Sequence, residues 1–192
     1  MDRTAQLDAI VAEYDLNKHP FYQDWRMGTL PTAKLADYAG EYGRFVATIA
    51  QGWETTGHPH YAEEEREHEL FWADFMRELK VDHLSNRPET EALVSAAHRL
   101  FATKPEAIGA LYSFEAQQPH TSRSKLDGLN EHYALSDKAK HYFVVHADDV
   151  AEAEELRTRA AELSDTEFEA TQSACRELCQ AMWKALDGVY QA

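Results

Sequence analysis

From about Thr4 to Gly188 the apolar side chains recur at three- and four-residue intervals, and no stretch alternates as a half-buried strand flanked by turns must. That restricts the chain to all-α architectures. The helix breakers are scarce, 8 Gly and 6 Pro in 192 residues, and they fall where the pattern restarts. The spacing predicts a first helix over about Thr4 to Leu16, followed by a short segment over about Pro20 to Met27. A long helix opens near Pro31, and the next starts near Pro59. Asn86 and Pro88 open another that runs to about Phe101, and Lys104-Pro105 opens the one after it. Thr121 or Ser122 reads as the cap of "TSRSKLDGLNEHYAL", Ser136 as the cap of a second long helix that runs to Leu163, and Ser164 or Asp165 as the cap of the last. Seven to eight helices with short connections imply one all-α bundle over residues 1–192, with sites built between facing helices.

Charge narrows the partners. The formal net charge is −15 and no Lys/Arg run exceeds two residues, so phosphate backbones and anionic membrane surfaces are disfavoured. The apolar runs are too short to span a bilayer, and the N-terminal stretch lacks the apolar core of a signal peptide, so the expectation is a cytoplasmic protein. Cys175 and Cys179, four apart, share a helix face where a disulfide is geometrically awkward. They read as small buried hydrophobes.

Polar residues on apolar stripes carry the functional information. In the helix opened by Ser136 the stripe is Tyr142, His146, Asp149, Ala153, Leu156, Ala160 and Leu163. On a continuous helix Asp149 lies about 60° from His146 and Glu152 about 120° from it. In "AIGALYSFEAQQP" the row Ile108, Leu111, Tyr112 ends on Glu115; its plain alternatives are an exposed helix end or a pairing with arginine. In "AEEEREHELFWADFM" the row is His68, Trp72, Phe75, Leu79, preceded by Glu64 and Glu65. Glu-x-x-His is a pattern of carboxylate-bridged metals in helical bundles, although each of these histidines also reads as an ordinary hydrogen-bonded core residue. Imidazole with carboxylate suits iron, manganese or zinc better than calcium or magnesium.

"HPFYQDWRMGTL", "EEEREHELFWADF", "LYSFEAQQPHTSRSKLDGL" and "HYFVVHADD" resemble the heme-oxygenase-like superfamily, and within it the non-heme dimetal oxidases and oxygenases. These are relatives of the Chlamydia protein associating with death domains and, more distantly, of pyrroloquinoline-quinone synthase and TenA. The similarity covers nearly the whole chain in matching order. It implies an all-helical fold around a buried site holding one or two iron ions, or iron with manganese, that use dioxygen on small substrates. Carried over, it makes His68 the first histidine ligand, with Glu65 or Glu64 as its partner, Glu115 the middle carboxylate and His146 the late histidine. The family's late His-x3-Asp-x2-His is where this chain departs. Without a gap, its last two positions fall on Val150 and Ala153, which cannot ligate. With a one-residue deletion they fall on Asp149 and Glu152, the latter needing a local distortion such as a π-bulge to reach inward.

The leading expectation is therefore an O2-activating non-heme iron or manganese oxidase or oxygenase of a small organic substrate. Tyr142 would hydrogen-bond a ligand or act as a redox neighbour, and Lys125 would orient a substrate carboxylate. The alternative is a metal-free member of the same fold, either a cofactorless enzyme or a ligand-binding protein. Heme bound through His19 and cysteine-based TenA-like chemistry are weaker readings, since His19 sits naturally near a helix start. A protein-interaction module explains none of the polar stripe positions. A homodimer is open as an assembly, with Trp53 and the N-terminal helix as candidate contacts.

Overall fold

A computed structural model describes residues 2–81 and 87–191. Among them run eleven α-helices and no strand: α1 (Arg3–Glu13), α2 (Pro20–Arg26), α3 (Thr32–Val46), α4 (Ile49–Thr56), α5 (Pro59–Glu78), α6 (Pro88–Leu100), α7 (Lys104–Glu115), α8 (Gln118–His132), α9 (Asp137–His146), α10 (Ala151–Glu162) and α11 (Asp165–Gln191). A 3-10 turn, Leu16–Lys18, joins α1 to α2. The predicted all-helical bundle is thus the fold, with two of its long helices broken.

The local signals explain most of the starts. Five helices, α2, α5, α6, α7 and α8, carry proline in the first turn, where its missing N–H has no partner to lose. Ser136 Oγ accepts from Ala139 N at the start of α9. At α11, Ser164 Oγ accepts from Glu167 N while Glu167 Oε2 accepts from Ser164 N, a reciprocal capping box. Helix α8 begins three residues before its expected Thr121 cap. Thr121 lies inside it and donates its hydroxyl to the Gln117 carbonyl at 2.8 Å. The expected cap at Asn86 lies outside the described residues. His19 caps α2: its Nδ1 accepts from Phe21 N at 3.1 Å and its Nε2 lies 3.2 Å from Asp187 Oδ1. Both ring nitrogens are therefore engaged, which removes His19 as a heme ligand in this conformation.

The breaks are where the sequence misleads. The helix expected to run on from Pro31 stops at Val46. Thr48 donates its hydroxyl to the Phe45 carbonyl at 2.7 Å, and the chain restarts as α4 in a new direction. The helix expected from Ser136 to Leu163 stops at His146. Arg123 of α8 donates to the Ala147 carbonyl at 2.6 Å and pairs with Asp148, while Asp149 Oδ1 accepts from Ala151 N at 3.0 Å and starts α10. The distortion is a complete break rather than a π-bulge.

Helix α11, the longest, packs chiefly against α7 and α6. Gly109 permits that approach: a Cβ there would sit 1.9 Å from the Thr171 carbonyl oxygen. Trp25, Tyr38, Trp72, Phe75 and Phe143 fill the centre in edge and stacked contacts. Trp53 is fully buried rather than on a dimer face. Cys175 and Cys179 are buried and free within α11, as small apolar residues. No helix among the described residues is long and apolar enough to cross a membrane.

Candidate metal centre

Four helices bring the site together. Glu65 and His68 stand one turn apart on α5, Glu115 ends α7, His146 ends α9, and Glu152 lies in the first turn of α10. Glu65, Glu115, His146 and Glu152 are buried, and the His68 side chain is 14% exposed. Donor atoms of Glu65, His68 and His146 lie within 4.8 Å of one another, and so do those of Glu65, Glu115 and Glu152. Glu65 belongs to both groups and so spans two adjoining donor sets.

Each donor is held in place. Gln117 fixes the end of α7 by accepting from Leu16 N and donating to the Ser113 carbonyl, both at 2.9 Å. Trp53 Nε1 donates to Glu115 Oε1 at 3.3 Å. His68 Nδ1 lies 3.0 Å from Glu65 Oε1. His146 Nδ1 is 2.6 Å from the Tyr142 carbonyl, an acceptor only, so the proton sits on Nδ1 and Nε2 keeps its lone pair. Burial, then the neighbouring His68, holds the His146 ring neutral, with its pKa down at about 3.

What remains is a set of buried atoms with no protein partner: Glu65 Oε2, Glu115 Oε2, His146 Nε2 and Glu152 Oε1. Burial and the mutual repulsion of the carboxylates push Glu115 and Glu152 well above the usual carboxylate range. Protonation is one relief for such a group; a divalent cation is the other, and it reverses the local charge balance. The donor set fits a metal: two imidazoles and a carboxylate on one side, three carboxylates on the other.

The break between α9 and α10 decides which sequence candidates meet. It turns Glu152 inward to Glu65 and Glu115, although on a continuous helix it would stand off. It leaves Asp149 exposed, its carboxylate spent on the α10 start and absent from both donor groups. On α5 the buried carboxylate is Glu65, and Glu64 faces solvent. Glu115 is neither exposed nor paired with arginine.

Tyr142 stacks beside His146 with ring centroids 4.2 Å apart, and its hydroxyl accepts from Gln118 Nε2 at 2.9 Å. Lys125 is buried among rings, its Nζ 4.8 Å from the Tyr22 centroid, 5.4 Å from Phe143 and 6.0 Å from Tyr38. Its hydrogen bond goes to Tyr22 Oη at 3.5 Å, and Tyr22 and Tyr38 share one at 2.8 Å. Burial brings the Lys125 amine down to about 7, so it is half-neutral near neutral pH. Sequence reasoning missed Tyr22, Tyr38, Gln118 and Trp53. The only available signal was the run of tyrosines on apolar stripes of α2 and α3, whose hydroxyls must find partners once buried.

The sequence profile of a family described as iron-containing redox enzymes matches residues 47–187, a span that includes every converging donor. The chain belongs to that family. Curated relatives match it over nearly its whole length. It is 28% identical to the 4-aminobenzoate synthase of Nitrosomonas europaea, over 97% of this chain and 90% of the relative. With the 4-aminobenzoate synthase of Chlamydia muridarum it is 26% identical, over 95% and 87%. Solved structures share the fold at lower identity. A protein of heme oxygenase-like fold from Shewanella denitrificans superposes with a TM-score of 0.82 at 19% identity, over all of this chain and 93% of that one. A CADD-like protein from Nostoc punctiforme gives 0.67 at 19% identity, over 98% and 93%. In this member of the family Glu152 stands beyond a helix break.

Proposed function

We propose that this protein is a dioxygen-using oxidase with a two-ion centre and that its product is 4-aminobenzoate or a close aromatic amine. Iron would occupy the half formed by Glu65, His68 and His146. Iron or manganese would occupy the half formed by Glu65, Glu115 and Glu152. The observation that carries the reading is the group of four unpartnered donor atoms buried around one shared carboxylate. Leaving such groups unpaired in the interior is costly, and a cation removes the cost at every one of them. Two imidazoles with a carboxylate and open positions is the donor set of non-heme Fe(II) enzymes; an all-carboxylate set accepts manganese equally well. The activity named for the Nitrosomonas and Chlamydia relatives supports the product class.

When bound, the ions supply the one-electron steps by which dioxygen acts on a small organic molecule. The chain's own residues do the remainder. Neutral His146 presents a lone pair without first losing a proton. Tyr142 and Gln118 form a polar contact one turn from it. Lys125, near half-protonation, meets a substrate carboxylate when charged, with the Tyr22 and Tyr38 hydroxyls beside it.

The test is to load the protein anaerobically with Fe(II), alone and with Mn(II), and count ions per chain. Admitting dioxygen with a reductant and assaying for 4-aminobenzoate follows, together with growth rescue of a 4-aminobenzoate auxotroph. Two ions per chain, dioxygen uptake and rescue are expected. A fully metallated protein that consumes no dioxygen sinks the oxidase reading. A protein that takes up no ion yet stays folded favours the metal-free alternative.

A further inference from the structure

Glu115 has one neighbour whose chemistry the proposed reaction leaves unused. Trp53, fully buried on α4, donates its indole N–H to Glu115 Oε1 at 3.3 Å. Its ring lies against Tyr61 of α5, with centroids 4.5 Å apart and planes at 41°. Tyr61 is partly exposed and stacks in turn on exposed His60 at 4.1 Å. The contact is built by a tight turn. Gly57 is left-handed at φ 87°, His58 N donates to the Trp53 carbonyl at 3.0 Å, and the first turn of α5 is folded back over α4. Two readily oxidised side chains in ring contact thus join a donor of the buried centre to solvent.

We propose that Trp53 and Tyr61 carry single electrons between the buried metal centre and a small outer-sphere reductant of the ascorbate or thiol class. The inference rests on Glu115 being a ligand of a redox metal. In each transfer Trp53 would pass one electron to an oxidised ion held by Glu115 and regain one from Tyr61. The Tyr61 phenol gives up its proton to solvent as its electron leaves. The reductant then returns one electron to Tyr61, and solvent returns the proton. Two features favour Tyr61 over Tyr142 as the outer station. A phenol must shed its proton when oxidised, and Tyr61 reaches water, whereas Tyr142 is 1% exposed. Tyr61 is also in ring contact with Trp53, the residue that donates to Glu115. Stacking at a tight turn is also ordinary packing, so the decisive variant keeps the ring and removes the phenol.

The experiment mixes Fe(II)-loaded protein with dioxygen and reads freeze-quenched electron paramagnetic resonance, with ring-deuterated tyrosine to assign the radical. A second arm follows single-electron reduction of the ferric protein by ascorbate. Expected are a tyrosyl signal that Tyr61→Phe abolishes and a reduction rate that falls by an order of magnitude, with iron content unchanged. Trp53→Phe should suppress the same tyrosyl signal. A signal and a reduction rate that persist in Tyr61→Phe overturn the route and leave the metal centre standing. Failure of the wild-type chain to retain iron overturns the centre and the route together.

Discussion

His146 donates a hydrogen bond from its Nδ1–H to the carbonyl of Tyr142, one turn earlier on the same helix, and so faces the interior with an unprotonated Nε2. The helix that carries the ligand thereby selects its tautomer. The arrangement requires no residue from elsewhere in the chain, and it leaves a buried lone pair that only a cation or a proton donor can meet.

The two donor groups should separate by mutation. His146→Ala is expected to lose the ion of the nitrogen-containing half and retain the other. Glu152→Gln should do the reverse. Metal analysis after anaerobic loading should read two ions per chain for wild type and about one for each variant, with tenfold or greater loss in affinity at the damaged half. Loss of both ions from either variant would mean that Glu65 does not support the halves independently.

Asp149→Asn should leave ion content unchanged. Asparagine accepts from the Ala151 N–H as aspartate does, so the start of α10 survives. Asp149→Ala should lower stability by no more than about 1 kcal/mol, through loss of this one exposed hydrogen bond ahead of the Val150 cap position, measured by urea unfolding. A one-ion loss in Asp149→Asn would return this residue to the centre.

Lys125 predicts a pH dependence. Its folded pKa, about 7, lies below the value of an unfolded lysine, so between the two the unfolded chain binds the extra proton. Stability should therefore be complete above the unfolded value, fall as pH drops from that value toward 7, and level off below it. Each tenfold difference in proton affinity between the folded and unfolded chain is worth about 1.4 kcal/mol. Lys125→Met should flatten this slope and raise stability at neutral pH, as read from denaturant midpoints at several pH values.

Gly109→Ala should destabilise the fold without touching a donor. The added methyl meets the Thr171 carbonyl, a backbone atom that cannot swing aside, so α7 and α11 must separate. Overpacking of this kind costs about 1–3 kcal/mol. Thermal unfolding gives the loss, and ion content at low temperature should stay at the wild-type value.

The all-helical architecture was legible because proline, serine and apolar spacing mark most starts locally; the restarts of α4 and α10 carry no such mark. His68, Glu115 and His146 stood out because a polar side chain on an apolar stripe needs a partner; the stripe left Glu64 and Glu65 open, and the ligand roles came from the family resemblance. The stretch "HADDV" hid the break after His146. It contains neither glycine nor proline, and the contact that accompanies the stop, Arg123 of α8 on the Ala147 carbonyl, comes from elsewhere in the chain. Periodicity extended through that point pointed Asp149 inward and Glu152 away, the opposite of their placement. The Tyr22, Tyr38 and Lys125 cluster was invisible for a related reason. Tyr22 and Tyr38 come from consecutive helices but Lys125 from α8, far along the chain, and Lys125 alone reads as a solvent residue.

Because Glu152 is aimed by the point at which a helix stops, its inclusion is separable from the rest of the scaffold. Adding or removing one residue between Ala147 and Val150 would rotate a different side chain into that place while α5 and α7 stay as they are. On the proposed two-ion reading, the side chain offered at that corner can change with segment length while the surrounding bundle stays the same.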